Sequence, residues 1–195
     1  MPSEPPPIAE ILAALQRALG ALGVRWFLFG AQAAILHGVA RLSADVDVTV
    51  DLGECPAAEL VSALGRAGFE LRVADEGFVE ATRVLPFVHR ASRIPLDVVL
   101  AGPGLEEQFF GGVEELDLGG LRVPVVSAAD LCAMKVLAGR PRDLEDVGTI
   151  LQARRADLDL DRIRATLGLL ERALDRRDLV SEFERLRVAA ERNAR

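Results

Sequence analysis

The chain has 195 residues, 50% of them hydrophobic and 27% charged, a composition that is typical of a globular protein and excludes a disordered one. Its formal net charge of −7 argues against a broad nucleic-acid-binding face. No apolar run approaches the roughly 20 residues of a membrane span, and the N-terminal MPSEPPP lacks the basic and apolar regions of a secretory signal. Two cysteines and two histidines are too few for a disulfide framework or a zinc cluster, so we expect a reducing, cytoplasmic setting.

The first half of the chain alternates helical and strand patterns. Apolar residues recur at helical spacing from Ile8, and the apolar run Trp26–Phe29 is typical of a buried strand that ends at Gly30. Small residues then predict a short helix. In chain order we predict an extended Pro-rich lead-in (2–7), a helix (8–22), a strand (25–29), a helix (31–37), a strand (41–50), a helix (56–67), a strand (69–73) and a turn (75–77).

The second half is predicted to contain two hairpins and then helices alone. Gly119-Gly120 is typical of a two-residue hairpin turn, while Ser127 is typical of a helix N-cap and Gly139 of a helix end. We predict a hairpin (83–89 with 94–100), a second hairpin (116–126) and helices (127–139, 141–153, 161–173 and 179–193). These elements indicate an α+β fold, in which a mixed β-sheet flanked by helices (residues 1–126) is followed by a helical C-terminal region (127–195) packed on it.

Carboxylates stand at alternate positions of the strand predicted over RLSADVDVTV (41–50). Because strand side chains alternate between faces, Asp45 and Asp47 are expected to share one face, with the valines on the other. Two neighbouring carboxylates repel each other, and a divalent cation with oxygen ligands relieves that repulsion. Asp97 interrupts another apolar strand, where a buried acid needs a partner. A strand-end pair of acids at a solvated sheet edge, together with one ion-paired aspartate, would give the same pattern.

The order strand, Gly30, short helix and Arg-x-Ser-x-Asp-x-Asp resembles the signature of the nucleotidyltransferase superfamily of the DNA polymerase β type. The usual signature opens with Gly-Gly or Gly-Ser. Gly30-Ala31 departs from it at the second position, which leaves the backbone contacts with phosphate but removes a side-chain contact. The chain looks most like small prokaryotic AbiEii-type toxins and minimal nucleotidyltransferases. Residues 127–146 resemble the stretch dL-x-x-x-K…R-x-x-D-x-x-D that follows the core in these relatives.

The resemblance implies an enzyme that moves an NMP unit from an NTP to an acceptor hydroxyl and releases pyrophosphate. The catalytic residues, which would also be the ligands of two Mg²⁺ ions, are then Asp45, Asp47 and Asp97. The nucleotide contacts are then Gly30, Ala31, Arg41, Ser43 and Lys135. The implied acceptor is a tRNA end or a partner protein in a toxin–antitoxin system. A small-molecule acceptor, as in antibiotic-modifying relatives, and a non-catalytic nucleotide-binding or antitoxin module are the alternatives.

A structural role stays open for each implied nucleotide contact. Gly30 also suits a tight strand-to-helix turn, Ser43 a local backbone hydrogen bond, and Arg41 an ion pair with aspartates. Lys135 is the only lysine of the chain and a candidate partner of the β- and γ-phosphates, although an exposed helix lysine is the commoner case. Asp143 and Asp146 of the next helix would either position Lys135 or Arg140, or simply lie near a helix N-terminus, where the helix dipole favours acids.

Overall fold

The computed structural model describes residues 7–73, 75–102 and 104–193. Residues 2–6 of the predicted lead-in lie outside these ranges. Seven strands and nine helices form within them, in the order α1 (Pro7–Leu22), β1 (Arg25–Phe29), α2 (Gly30–Leu36), β2 (Val46–Asp51), α3 (Ala57–Arg66), β3 (Phe69–Leu71), α4 (Glu76–Thr82), β4 (Val84–His89), β5 (Pro95–Leu100), α5 (Leu105–Phe110), β6 (Glu114–Leu118), β7 (Leu121–Val125), α6 (Ala128–Ala138), α7 (Pro141–Ala153), α8 (Leu160–Leu174) and α9 (Leu179–Asn193). None of the described helices is long and apolar enough to cross a membrane.

The strands form one mixed sheet in the order β3-β4-β5-β2-β1-β7-β6. The pairs β2–β5 and β1–β7 are parallel, and the other neighbouring strands are antiparallel. β4–β5 and β6–β7 are the two predicted hairpins, and the second turns at Gly119-Gly120, where both glycines have positive φ. The predicted α+β class with a mixed sheet is therefore confirmed.

The strand register brings acidic residues of distant sequence positions together at the centre of the sheet. Phe29, the last residue of β1, is opposite Asp47 on β2. On its other side β2 pairs in parallel with β5, and there Asp47 is the direct partner of Asp97. The parallel pairing of β2 with β5 thus places two carboxylates next to each other on neighbouring strands.

Residue contacts divide the chain into two compact units. The sheet unit comprises residues 1–32 and 42–126, and the helical unit comprises residues 33–41 and 127–195. In the sheet unit, helices α1 and α3 pack on each other, and α1 also contacts strands β1 and β7. The apolar side chains that are completely buried in this interior include Leu12, Leu15, Leu19, Phe27, Leu28, Val48, Val50, Leu96 and Val98. Their transfer from water drives formation of this core.

The helical unit is built around contacts of α6 with α7 and α8, and of α9 with α7. As predicted, Ser127 is the N-cap of α6, and its hydroxyl accepts a hydrogen bond from the backbone N–H of Asp130 (3.1 Å). Gly139 ends α6 in the left-handed conformation with φ +65°. Side chains of this unit that are fully buried include Cys132, Val147, Ile150, Ile163, Leu167 and Phe183.

β2 begins later than predicted, at Val46, one residue after Asp45. Residues 42–45 form a loop with local hydrogen bonds. The backbone N–H of Asp45 donates to Ser43 Oγ (3.4 Å), and the Gln32 side-chain amide donates to the Ser43 carbonyl (2.8 Å). Such side-chain bonds compete with strand pairing. The prediction that Asp45 is a strand residue is wrong. Of the two aspartates expected to share a strand face, only Asp47 lies in β2.

Residues 76–82 form helix α4 where the sequence predicts only a turn at 75–77. Asp75 is the N-cap of α4, and its carboxylate accepts hydrogen bonds from the backbone N–H groups of Gly77 (2.9 Å) and Phe78 (3.4 Å). These bonds satisfy donors of the first helical turn. The Asp and Gly that are typical of a turn therefore open a helix here, and the short α5 is likewise absent from the prediction.

Candidate active site

Asp47 and Asp97 are the acidic pair at the centre of the candidate site. They are register partners on the parallel strands β2 and β5, and neighbouring strands lie about 4.8 Å apart. Both residues are half-buried, so neither carboxylate is fully solvated. Like charges in this arrangement destabilise the sheet unless a cation lies between or beside them. Asp45 is exposed and stands two residues before Asp47, at the entrance to β2.

Gly30 makes room for the Asp47 carboxylate. It directly follows β1, has φ +67° and begins α2, with Ala31 as the next residue. A Cβ added to Gly30 would lie 2.9 Å from Asp47 Cγ and still closer to its Oδ2 atom, which real structures do not tolerate. Positive φ and this close approach both require glycine. The turn that sequence analysis left open at Gly30 is therefore real, and it also shapes the acidic site.

The loop before β2 is held by a residue that sequence analysis missed. Gln32 is 7% exposed, and its amide donates to the Ser43 carbonyl at 2.8 Å. The Ser43 hydroxyl accepts the backbone N–H of Asp45, which is the local role that the sequence left open for it. The only signal of Gln32 in the sequence is a lone amide in a helix of small apolar residues. Gln32 thus fixes the loop that carries Ser43 and Asp45.

Asp97 is engaged by a second residue that the sequence did not indicate. Arg72 Nη2 lies 2.7 Å from Asp97 Oδ1, and both side chains are 42% exposed. Arg72 Nε also donates to the Phe87 carbonyl on β4 at 3.1 Å. An arginine in an Arg-rich chain gives no pattern that would single it out. The ion pair offsets the repulsion that the two neighbouring carboxylates would otherwise have.

The acidic residues suit a hard divalent cation by their chemistry. Mg²⁺ prefers carboxylate oxygens, Asp47 and Asp97 are neighbours in the sheet, and the missing side chain at Gly30 lets the Asp47 carboxylate take its position there. In the described part of the chain, however, no three His, Cys, Asp or Glu side chains converge closely enough to hold a metal ion. Asp97 is turned to Arg72 instead. The three-aspartate metal site stays a prediction, with donors that fit the ion.

Lys135 and Arg41 belong to one ion-pair network inside the helical unit. Lys135 Nζ lies 2.9 Å from Asp143 Oδ1 and 2.7 Å from Asp146 Oδ2. Arg41 Nη1 lies 2.6 Å from the same Asp146 atom, and Arg140 Nε lies 2.6 Å from Asp143 Oδ2. Lys135 is only 4% exposed, so it is not the exposed helix lysine that the sequence left open. Its predicted contact with phosphate stays a prediction, and phosphate would have to replace a carboxylate.

The pKa of Asp143 records this network. Burial acts against the charged carboxylate, but hydrogen bonds from Lys135 and Arg140 outweigh it and hold the pKa of Asp143 below its usual value. Asp143 and Asp146 are only 6% and 4% exposed. Two buried carboxylates thus share one buried ammonium, and the attraction between these opposite charges offsets the cost of burying them.

The match to a known protein family covers nearly the whole chain. The profile described as nucleotidyl transferase AbiEii toxin, type IV toxin–antitoxin system, matches residues 13–194. The chain belongs to this AbiEii family. The resemblance that Gly30 and the Asp-x-Asp motif indicate in the sequence is therefore confirmed. No curated protein sequence matches this family member significantly.

Solved structures similar to this AbiEii family member include antibiotic nucleotidyltransferases. The antibiotic-resistance factor ANT(2'')-Ia has 16% identity and a TM-score of 0.53, over 95% of this chain and 92% of that one. A nucleotidyltransferase-like antigen of Paracoccidioides brasiliensis has 18% identity and a TM-score of 0.57, over 91% and 92%. The lincosamide adenylyltransferase LnuA has 14% identity and a TM-score of 0.53, over 74% and 96%. These similarities confirm the nucleotidyltransferase fold.

The far end of β2 in the AbiEii family member carries another acid, Asp51, which is paired with an arginine. Asp51 accepts a hydrogen bond from Arg25 Nε (3.1 Å) and one from the backbone N–H of Gly53 (3.0 Å). The bond from Arg25, then that from Gly53, lowers the pKa of Asp51 below its usual value. Arg25 is also bonded to Glu107. Asp51 therefore has its own counter-ion, which makes it a suitable control for tests of Asp45 and Asp47.

Proposed function

We propose that this protein is a Mg²⁺-dependent nucleotidyltransferase that moves NMP from an NTP to an acceptor hydroxyl. The observation that carries the proposal is the pairing of Asp47 with Asp97 on parallel strands, with the Gly30 backbone against Asp47. Membership of the AbiEii family supports it. These two half-buried register partners supply the carboxylate oxygens that a divalent cation prefers, and such a cation attracts phosphate in turn.

The chain's own residues have distinct roles in this reaction. Asp45 and Asp47 would hold the two cations, and Asp97 would complete the cation site on the side of the acceptor. When bound, Mg²⁺ supplies positive charge for the attacking and leaving oxygens. The acceptor oxygen forms a bond to the α-phosphorus, the bond from that phosphorus to the bridging oxygen breaks, and pyrophosphate leaves. Asp97 accepts the proton of the acceptor hydroxyl.

The nucleotide contacts of the sheet unit come from the turn after β1 and the loop before β2. Backbone N–H groups at Gly30 and Ala31 would contact the phosphates, as the resemblance to the nucleotidyltransferase signature implies. The Ser43 hydroxyl donates its proton to a phosphate oxygen while its own oxygen keeps the bond from Asp45. Arg41 and Lys135 keep their predicted phosphate contacts only as a sequence-based expectation.

The acceptor is a tRNA end or a partner protein, and the enzyme is the toxin of a toxin–antitoxin pair. The description of the matched family as a type IV toxin–antitoxin system supports this setting, with an antitoxin as partner. A small-molecule acceptor is the second candidate. It is favoured by the similarity to LnuA, solved with lincomycin, and to ANT(2'')-Ia, solved with adenylyl-2''-tobramycin.

Calorimetry with each NTP, with and without Mg²⁺, tests the nucleotide site. Wild type is compared with Asp45→Asn/Asp47→Asn, and with Asp51→Asn, which removes an acid from the same strand. We expect Mg²⁺-dependent binding of one or more NTPs, its loss in the double variant and its retention in Asp51→Asn. If no NTP binds at millimolar concentration, the enzyme proposal is wrong and a non-catalytic module is favoured.

Transfer of label from α-³²P NTP identifies the acceptor. The protein is incubated with total tRNA, with the candidate antitoxin, or with an aminoglycoside and a lincosamide. We expect labelled tRNA or protein in wild type and none in the Asp45→Asn/Asp47→Asn variant. Label on the small molecule alone would replace the toxin assignment with the second candidate.

A further inference from the structure

Arg72 stands where a cation would meet Asp97. Its guanidinium Nη2 lies 2.7 Å from Asp97 Oδ1. Asp97 in turn is the register partner of Asp47, so the guanidinium faces one of the three aspartates on which the proposed reaction depends. An arginine beside a carboxylate pair supplies the positive charge that a metal ion would otherwise supply.

The position of Arg72 is fixed by the backbone of β4. The Arg72 backbone N–H donates to the Pro86 carbonyl at 2.8 Å, and Arg72 Nε donates to the Phe87 carbonyl at 3.1 Å. Pro86 is itself the register partner of Asp97 on β5. Arg72 therefore spans β4 and reaches Asp97 in a defined direction. This anchoring separates it from an exposed arginine with free rotamers, whose ion pair would contribute little.

The consequence for the site is that Asp97, the third predicted metal ligand, already has a positively charged partner. No three acids converge into a metal site within the described residues, and Asp97 is the member that is paired elsewhere. A guanidinium cannot lose its proton under any ordinary condition. Arg72 therefore stays positively charged, and a divalent cation that binds Asp97 has to compete with it.

The geometry points to Arg72 as a positioning residue, an internal counter-ion that holds Asp97. Because a divalent cation has to compete with this guanidinium, Arg72 raises the concentration of cation needed to bind at Asp97. This inference rests on the proposed function, since it concerns the same acids. Without nucleotide, Arg72 keeps the acidic pair compensated, and a divalent cation has to displace it. The negative charges of a bound triphosphate favour that displacement. Cation and nucleotide then load the Asp97 side together.

Mn²⁺ binding followed by electron paramagnetic resonance, without nucleotide, tests this role directly. Removing the guanidinium in Arg72→Gln should tighten Mn²⁺ binding by about threefold to fivefold, the size expected for a partly exposed ion pair. Arg93→Gln is the matched control. Arg93 is also an arginine, but it is exposed, and its ion pair is a loose one with Glu70 at 3.9 Å. Its Mn²⁺ affinity should equal that of wild type.

A double-mutant comparison shows whether the effect passes through Asp97. In an Asp97→Asn background, Arg72→Gln should leave Mn²⁺ affinity unchanged. Equal or weaker Mn²⁺ binding in Arg72→Gln, with the aspartates intact, would overturn the inference. Should that variant fail to fold, Arg72→Lys serves instead, since it loses the Nε anchor and is expected to bind Mn²⁺ more tightly than wild type but less tightly than predicted for Gln. Equal binding by Arg72→Lys and wild type would then overturn the inference.

The same titrations separate the two proposals. If wild type and Asp45→Asn/Asp47→Asn bind Mn²⁺ alike, the metal site of the proposed function fails. If only the aspartate variant loses Mn²⁺ and Arg72→Gln behaves as wild type, the proposed function stands and the counter-ion role fails.

Discussion

Gly30 and Asp47 share one small space: the carboxylate of Asp47 lies where a Cβ on Gly30 would be. Gly30→Ala is therefore expected to displace the carboxylate and to strain a backbone with φ +67°. We expect a loss of about 2 kcal/mol in unfolding free energy, measured by urea denaturation. Mg²⁺-dependent NTP binding should be lost as well, because Asp47 moves.

Gly20→Ala is the matched control for that substitution. Gly20 lies within α1, is exposed, and has no atom within 4 Å of an added Cβ. Alanine in a helix interior is more favourable than glycine by about 1 kcal/mol, so this variant should gain stability. If Gly30→Ala were as stable as Gly20→Ala and bound NTP normally, the close approach to Asp47 would be irrelevant.

Lys135→Ala is expected to destabilise the helical unit strongly. It leaves Asp143 and Asp146 buried without their shared ammonium. Removing one member of a buried ion pair costs about 3 kcal/mol or more. Thermal and urea denaturation measure the loss. Arg140→Ala is the control, since its side chain is 76% exposed and its pair with Asp143 should contribute less than about 1 kcal/mol. Equal stability of the two variants would contradict the network.

The stability of the protein should fall in acid partly through Asp143. Its pKa is lower in the folded chain than the usual 3.8 because of Lys135 and Arg140, although burial opposes this. The unfolded chain therefore binds the proton more readily. The contribution is complete above about pH 4 and is lost as pH falls through the lowered folded value. Urea denaturation from pH 6 to pH 2 should show a shallower decline in Asp143→Asn than in wild type. Parallel curves would exclude Asp143 as a source.

The two cysteines should differ in reactivity. Cys132 is fully buried in α6, and burial raises the pKa of its thiol to about 12, so its reactive thiolate is scarce. Cys55 is partly exposed. Titration with Ellman's reagent should detect one thiol in the native protein and two in denaturant. Cys55→Ser should leave none detectable before unfolding. Rapid reaction of Cys132 in that variant would show that α6 opens readily.

Part of this site is predictable because local patterns carry it. Gly30 follows an apolar run that ends as a strand, and Asp97 interrupts an apolar run, so each is conspicuous in the sequence. The turn at Gly119-Gly120 and the cap at Ser127 are predictable for the same reason. Local pattern does not contain the parallel pairing of β2 with β5, which makes Asp47 and Asp97 neighbours.

The remaining features depend on long-range partners. The loop at Asp45 is held by Gln32, and Asp97 is paired with Arg72 across an intervening strand. Neither partner has a pattern of its own. The sequence singles out Lys135 but not its burial, for another reason: most of α6 is buried on every side, so no contrast between an apolar and a polar face marks which residues are inside.

The helical unit is not one continuous piece of chain. His37 is bonded to Arg154 across 117 sequence positions (3.0 Å), and Arg41 is paired with Asp146 across 105. A recombination event that exchanged residues 127–195 as a block would bring new helices but keep the old segment 33–41. We therefore expect residues 37 and 41 to vary together with their partners in the C-terminal helices.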